Sequence, residues 1–112
     1  SGLGWVPYLL ETADHQWSQQ KLHRAGMELK PSDYFQRQCF VTFWFELMGI
    51  KLRDYIGVDR IMWESDYPHP TCTWPDSRGY IDRGLAELTD GEREKILVDN
   101  AVKLYHLERY QD

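Results

Sequence analysis

The sequence predicts an α/β fold of about two parallel strands with flanking helices, the C-terminal fragment of a (β/α)8 (TIM) barrel. Three observations predict it. Cys39 to Phe45 reads Cys-Phe-Val-Thr-Phe-Trp-Phe, aromatic and β-branched with almost no polar interruption. A run apolar on both faces suits a strand covered on both sides, as in a parallel sheet between helices. Arg60-Ile61-Met62-Trp63 is a second such run, and it leads into Glu64-Ser65-Asp66-Tyr67-Pro68-His69-Pro70. A buried strand that delivers a carboxylate to a proline-rich turn is the arrangement of a barrel, whose chemistry sits on the loops after its strands.

In chain order, a first helix is expected from about Trp5 to about Leu22, with Val6, Leu9, Leu10, Ala13 and Trp17 at helical spacing. Pro7 fits its first turn, where a missing N–H matters little, and Gly26 ends the segment. Lys30-Pro31-Ser32 reads as a turn, with Ser32 capping a short helix from Asp33 to Arg37. The first strand is Cys39 to Phe45. Leu47 to Ile56 reads as a helix stopped by Gly57. The second strand runs from Arg60 to Ser65 and stops at or before Asp66, because Pro68 and Pro70 cannot continue a ladder. Pro75 opens a helix whose apolar stripe is Tyr80, Ile81, Gly84, Leu85 and Leu88. Thr89-Asp90-Gly91-Glu92 has capping-box spacing, ahead of a last helix carrying Ile96, Leu97, Ala101, Leu104 and Tyr105.

Two strands alone leave open edges. A whole barrel takes roughly 250 residues, so residues 1–112 are expected to form one partial barrel domain, about the last quarter of the eight units. The chain begins without Met and is expected to be trimmed or cut from something longer. Its net charge of −5 with scattered Lys and Arg argues against nucleic acid. No apolar run suits a membrane span, and the N-terminus has no signal-peptide pattern. Cys39 and Cys72 have no C-x-x-C spacing and are read as reduced thiols of a cytoplasmic protein. The unpartnered apolar stripes predict a homo-oligomer.

Asp66 is the leading candidate for chemistry; the bland alternative is a turn aspartate. His69 follows in the same loop and could contact substrate or simply be exposed. Trp63 and Trp74 are read as core packing rather than pocket walls. His15 and His23 are read as surface residues and His106 as structural. Glu64 is expected to face away from Asp66, which leaves no paired carboxylates.

Ser1-Gly2-Leu3-Gly4-Trp5-Val6-Pro7-Tyr8-Leu9-Leu10-Glu11, Tyr34-Phe35, Gly57-Val58-Asp59-Arg60-Ile61-Met62-Trp63-Glu64-Ser65-Asp66-Tyr67-Pro68-His69-Pro70, Thr73-Trp74-Pro75 and Asn100-Ala101-Val102-Lys103-Leu104-Tyr105 together form a recognisable pattern. The chain resembles the C-terminal part of the amidohydrolase-related family, in the branch of aminocarboxymuconate-semialdehyde decarboxylase and related metal-dependent decarboxylases and hydrolases. The resemblance implies a distorted (β/α)8 barrel with a divalent metal, often zinc. Asp66 matches the aspartate at the end of the eighth strand, as a metal ligand or as the acceptor of a proton from metal-bound water, and is the one catalytic residue implied. Two departures stand out. No His-x-His occurs in the chain, and Ser1 precedes Gly2 where many relatives have His. The expectation is a fragment of an enzyme that hydrolyses or decarboxylates a small carbonyl or carboxylate compound, inactive and metal-free by itself. The rival is a non-catalytic, self-associating α/β module.

Overall fold

The computed structural model describes residues 2–110. Ser1, and with it the departure at that position, lies outside the described residues.

Helix α1 (Val6–Gln19) starts as its sequence dictates, with Pro7 in the first turn. It is shorter than expected because Lys21 turns left-handed, with φ +53°, and sends the chain into a short 3-10 turn, Leu22–Ala25, closed by Gly26. Its apolar stripe is only partly covered: Val6 and Leu10 are buried, Leu9 is exposed. Helix α2 (Pro31–Gln38) opens on Pro31, and Ser32 is not its cap. The Ser32 N–H and hydroxyl both donate to the Asp14 carboxylate of α1, at 2.9 and 2.6 Å. A partner eighteen residues away thus displaces the local capping reading.

Strands β1 (Val41–Phe43) and β2 (Ile61–Trp63) pair in parallel, with Val41 opposite Ile61, Thr42 opposite Met62 and Phe43 opposite Trp63. Both are shorter than the apolar runs that announced them. Between them lie α3 (Met48–Lys51) and α4 (Arg53–Ile56), so the single helix expected over 47–56 breaks at Leu52. Gly57 stops it as expected, at φ +93°, ψ 115°, a conformation open to glycine. Helix α5 (Ser77–Gly84) starts two residues after Pro75, with Asp76 as N-cap. The capping box is present: Thr89 Oγ1 accepts the Glu92 N–H and Glu92 Oε2 accepts the Thr89 N–H. It opens α6 (Asp90–Glu94), which continues through a π turn, Lys95–Asp99, into α7 (Asn100–Tyr105).

One face of the sheet carries the core. Phe43 and Ile61 are fully buried with Leu3, Val6, Ile56, Leu85 and Ile96, and Val41 and Trp63 pack against the same cluster. By strand alternation, Thr42 and Met62 lie on the other face. The expectation of strands covered on both sides therefore holds in part: on the other face Met62 is buried, while Thr42 beside it is half-buried. Among the described residues, the edge of β1 away from β2 is met by the Gly2 N–H, which donates to Thr42 O at 2.9 Å.

Candidate functional site

The ladder runs one residue past the strands, because the Glu64 N–H donates to Phe43 O at 2.9 Å. Two residues later the backbone turns sharply. Asp66 has φ +59°. Lys21 and His106 also have positive φ, but they sit at helix ends, where a left-handed residue is a common stop. Asp66 sits at the end of a strand. A left-handed non-glycine residue costs on the order of 1 kcal/mol, and Asp tolerates it better than most because its side chain can bond locally.

Those local bonds are present. Asp66 Oδ1 lies 3.0 Å from His69 Nδ1, and Oδ2 accepts from the Thr71 hydroxyl at 3.4 Å. A carboxylate only accepts, so Nδ1 is the donor in this contact and Nε2 is not used by it. Backbone bonds fix the loop: the His69 N–H to Asp66 O, the Cys72 N–H to His69 O, and the Thr73 N–H to Ser65 O, at 2.9, 3.0 and 3.0 Å. Buried Thr73 anchors the far end by sharing a hydrogen bond with Ser77 Oγ at 2.9 Å. The Asp66 side chain is 16% exposed and that of His69 71%. The carboxylate is recessed, and the imidazole lies over it toward solvent. The structure thus brings together the two residues singled out from sequence and adds Thr71, which no spacing rule had flagged.

A second carboxylate sits at the end of β1. Glu46 Oε1 accepts the Leu3 N–H at 2.7 Å and Oε2 accepts the Trp44 N–H at 3.3 Å, which ties the first turn of the chain to the end of the strand. The signal for it was a lone acid closing the apolar run Phe40–Phe45, the same pattern that picked out Asp66. Beside it, Trp44 and Glu64 occupy the next register position beyond Phe43 and Trp63. Among the described residues, Trp44 Nε1 and Glu64 Oε1 are buried without a hydrogen-bond partner. The expectation that Glu64 faces away from Asp66 misapplies the strand repeat, since residues two apart share a face. What parts the two residues is the left-handed turn at Asp66, and no hydrogen bond joins them among the described residues.

Trp63 is half-buried, and its Nε1 donates to Trp44 O at 3.3 Å. Trp74 is 65% exposed, which corrects its reading as core. His15 and His23 are exposed, the latter ring 5.5 Å from that of Trp17, and His106 closes α7 in a left-handed conformation. Both cysteines are free and half-buried. Among the described residues, no group of three or more His, Cys, Asp or Glu side chains is placed to hold a metal ion. No helix there is long and apolar enough to cross a membrane.

A protein-family model described as amidohydrolase matches residues 7–107, which takes in both strands, Asp66, His69 and Asn100. No curated protein matches the chain.

Proposed function

Because this chain belongs to the amidohydrolase family, we propose that it supplies the closing βα units of a metal-dependent enzyme barrel. That enzyme would hydrolyse or decarboxylate a small carbonyl or carboxylate compound, in the branch of aminocarboxymuconate-semialdehyde decarboxylase. Asp66 is the carboxylate of the reacting centre. The observation that carries this reading is its placement: a recessed aspartate, left-handed at the end of a parallel strand, gripped by its own loop. Carboxylates on loops after parallel strands are where barrel enzymes keep their chemistry.

The residues present do not fit a metal by themselves. Catalytic zinc sites use three protein ligands, whereas here one carboxylate and one exposed imidazole stand together, hydrogen-bonded to each other. The remaining ligands would come from strands other than β1 and β2. What these residues can do is hold and move a proton. Asp66 accepts at a carboxylate oxygen. His69, bonded through Nδ1, fixes the orientation of that carboxylate and leaves Nε2 toward solvent. The chain by itself is therefore proposed to be inactive and metal-free.

The test has two arms. In a longer protein that contains this segment within a full barrel, Asp66→Asn should lower kcat by at least about a hundredfold, the low end for losing a general base, with thermal unfolding unchanged. In the 112-residue chain, dialysis against zinc followed by elemental analysis should leave well under one equivalent bound. Stoichiometric zinc, or full activity of the Asp66→Asn enzyme, would show that the site has been misassigned.

A further inference from the structure

Ser65 and Tyr67, the neighbours of Asp66 in sequence, line an open cleft of about 520 Å3 whose other walls are Trp63, Trp74 and Ser77. The Tyr67 and Trp74 rings meet edge to face, with centroids 6.0 Å apart and planes at 68°. Each residue is two-thirds exposed, yet the loop that carries them is pinned by the backbone bonds around His69 and Thr73. Elsewhere the chain covers aromatic faces with its own cations: Arg37 lies over Tyr34, Arg60 over Phe40, Arg83 over Tyr80 and Arg109 over Tyr110. Among the described residues, none of the three rings of the cleft has such a partner, and no basic residue lines it. Of its three hydroxyls, those of Ser65 and Ser77 are engaged, while that of Tyr67 has no hydrogen-bond partner among the described residues. Ser65 Oγ accepts the Tyr67 N–H at 3.3 Å, and Ser77 Oγ pairs with Thr73 Oγ1.

We propose that this cleft binds a small quaternary ammonium cation. Aromatic faces attract a cation through their quadrupoles, and Trp does so best. A quaternary ammonium has no N–H and needs only the aromatic faces, whereas a primary ammonium brings three donors to a cleft in which, among the described residues, the Tyr67 hydroxyl alone is uncommitted. The net charge of −5 favours the approach of a cation. The rings are held in place before the ligand arrives, which limits the ordering cost of binding.

The experiment follows the indole N–H resonances of Trp63 and Trp74 in the 15N-labelled full chain at constant ionic strength. Choline should give a saturable shift with Kd on the order of 1 mM, typical of an open site held by one or two cation–π contacts. Its neutral isostere, 3,3-dimethyl-1-butanol, should bind at least about fivefold more weakly, and ethanolamine should also bind more weakly than choline. Trp74→Leu should weaken choline binding about tenfold or more, Tyr67→Phe should retain it within about twofold, and Trp5→Leu, at an exposed aromatic elsewhere, should leave it unchanged. Tyr67→Leu serves as a second variant if Trp74→Leu lowers the Tm. Equal affinity for the neutral isostere would reduce the cleft to an apolar surface and overturn the proposal. So would the absence of a saturable shift at these two indoles, or undiminished binding by both leucine variants.

Discussion

Asn100 offers the sharpest test of how this chain holds together. It is 4% exposed, and its side-chain amide donates to two backbone carbonyls, Val58 O and Ile61 O, each at 2.8 Å. Those carbonyls flank the turn that feeds β2, so one amide fastens the last helix to the entry of the strand that presents Asp66. Asn100→Ala removes both bonds. Each is worth about 1 kcal/mol net. Val58 O keeps the Ile61 N–H as a partner, so the orphaning penalty is partial, and the vacated volume is small. The sum is about 2–3 kcal/mol, or a Tm lowered by roughly 8–15 °C for a chain of this length. Asn100→Asp keeps the volume but replaces the donor with a carboxylate facing two carbonyl oxygens, so at pH 7 it should cost more than Ala. Folding then raises the carboxyl pKa, and the penalty eases as pH falls and the acid form regains one donor. Thermal unfolding followed by circular dichroism from pH 4 to pH 8 measures all three proteins. An Asp variant at pH 7 as stable as the parent, or more stable than the Ala variant, would refute the two-carbonyl clamp.

Further outcomes follow from other contacts. At Gly49→Ala the new Cβ would collide with Leu3 Cβ and stand 3.1 Å from Leu3 Cα; overpacking of this kind should lower stability by about 1–3 kcal/mol, and unchanged urea unfolding would refute the close approach. The Arg53 guanidinium, then the backbone N–H and hydroxyl of Thr89, hold the Glu92 carboxyl down from 4.5 to about 2, and the Lys95 ammonium at 2.7 Å lowers Asp59. Both folded-state values are depressed, so their stabilisation is full above the unfolded carboxylate range and is lost as pH falls through it toward 2. The Tm of Glu92→Gln should therefore trail the parent at pH 7 and converge with it near pH 2; a constant gap would assign the effect to something other than charge. Exposed Trp5, Leu9, Phe45, Leu47 and Met48 and the edge of β1, met by no neighbouring strand among the described residues, lead us to propose self-association, to be checked by sedimentation at micromolar concentration, where a stable monomer would count against it.

What was legible in the sequence was what local chemistry decides. Pro7 starts α1, Gly57 stops α4, and Thr89 with Glu92 caps α6, because each acts within a turn of itself. The parallel α/β order was legible too, from two apolar runs separated by helical spacing. What escaped was settled by partners distant in sequence. Ser32 gives up its capping role to Asp14, eighteen positions away. β1 ends at Phe43 rather than Phe45 as the Glu46 carboxylate folds back on the Trp44 and Leu3 N–H groups. The Asn-Ala-x-x-Leu-Tyr ending was visible as a pattern, but its reason, an amide reaching back 42 residues to Val58, was not. At the candidate site, the nearness of Asp66 and His69 was legible because they share a turn. Thr71 was not, since nothing in its spacing distinguishes it from any other loop hydroxyl.

The loop from Glu64 to Pro75 carries two features, and the left-handed turn at Asp66 separates them. Without it, strand alternation would send Ser65 and Asp66 to opposite faces but leave Tyr67 and Trp74 no fixed relation to either. With it, the carboxylate folds onto His69 and Thr71, while Ser65 and Tyr67 on either side open the aromatic cleft. The two features thus rest on the same backbone bonds, Thr73 N–H to Ser65 O above all. A substitution that loosens that closure, such as Thr73→Val, which removes the hydroxyl contact to Ser77 but keeps the volume, should disturb the Trp74 resonance and the Asp66–His69 contact together. Independent responses at the two places would mean that the loop is two separate segments, and that the strain at Asp66 serves the carboxylate alone.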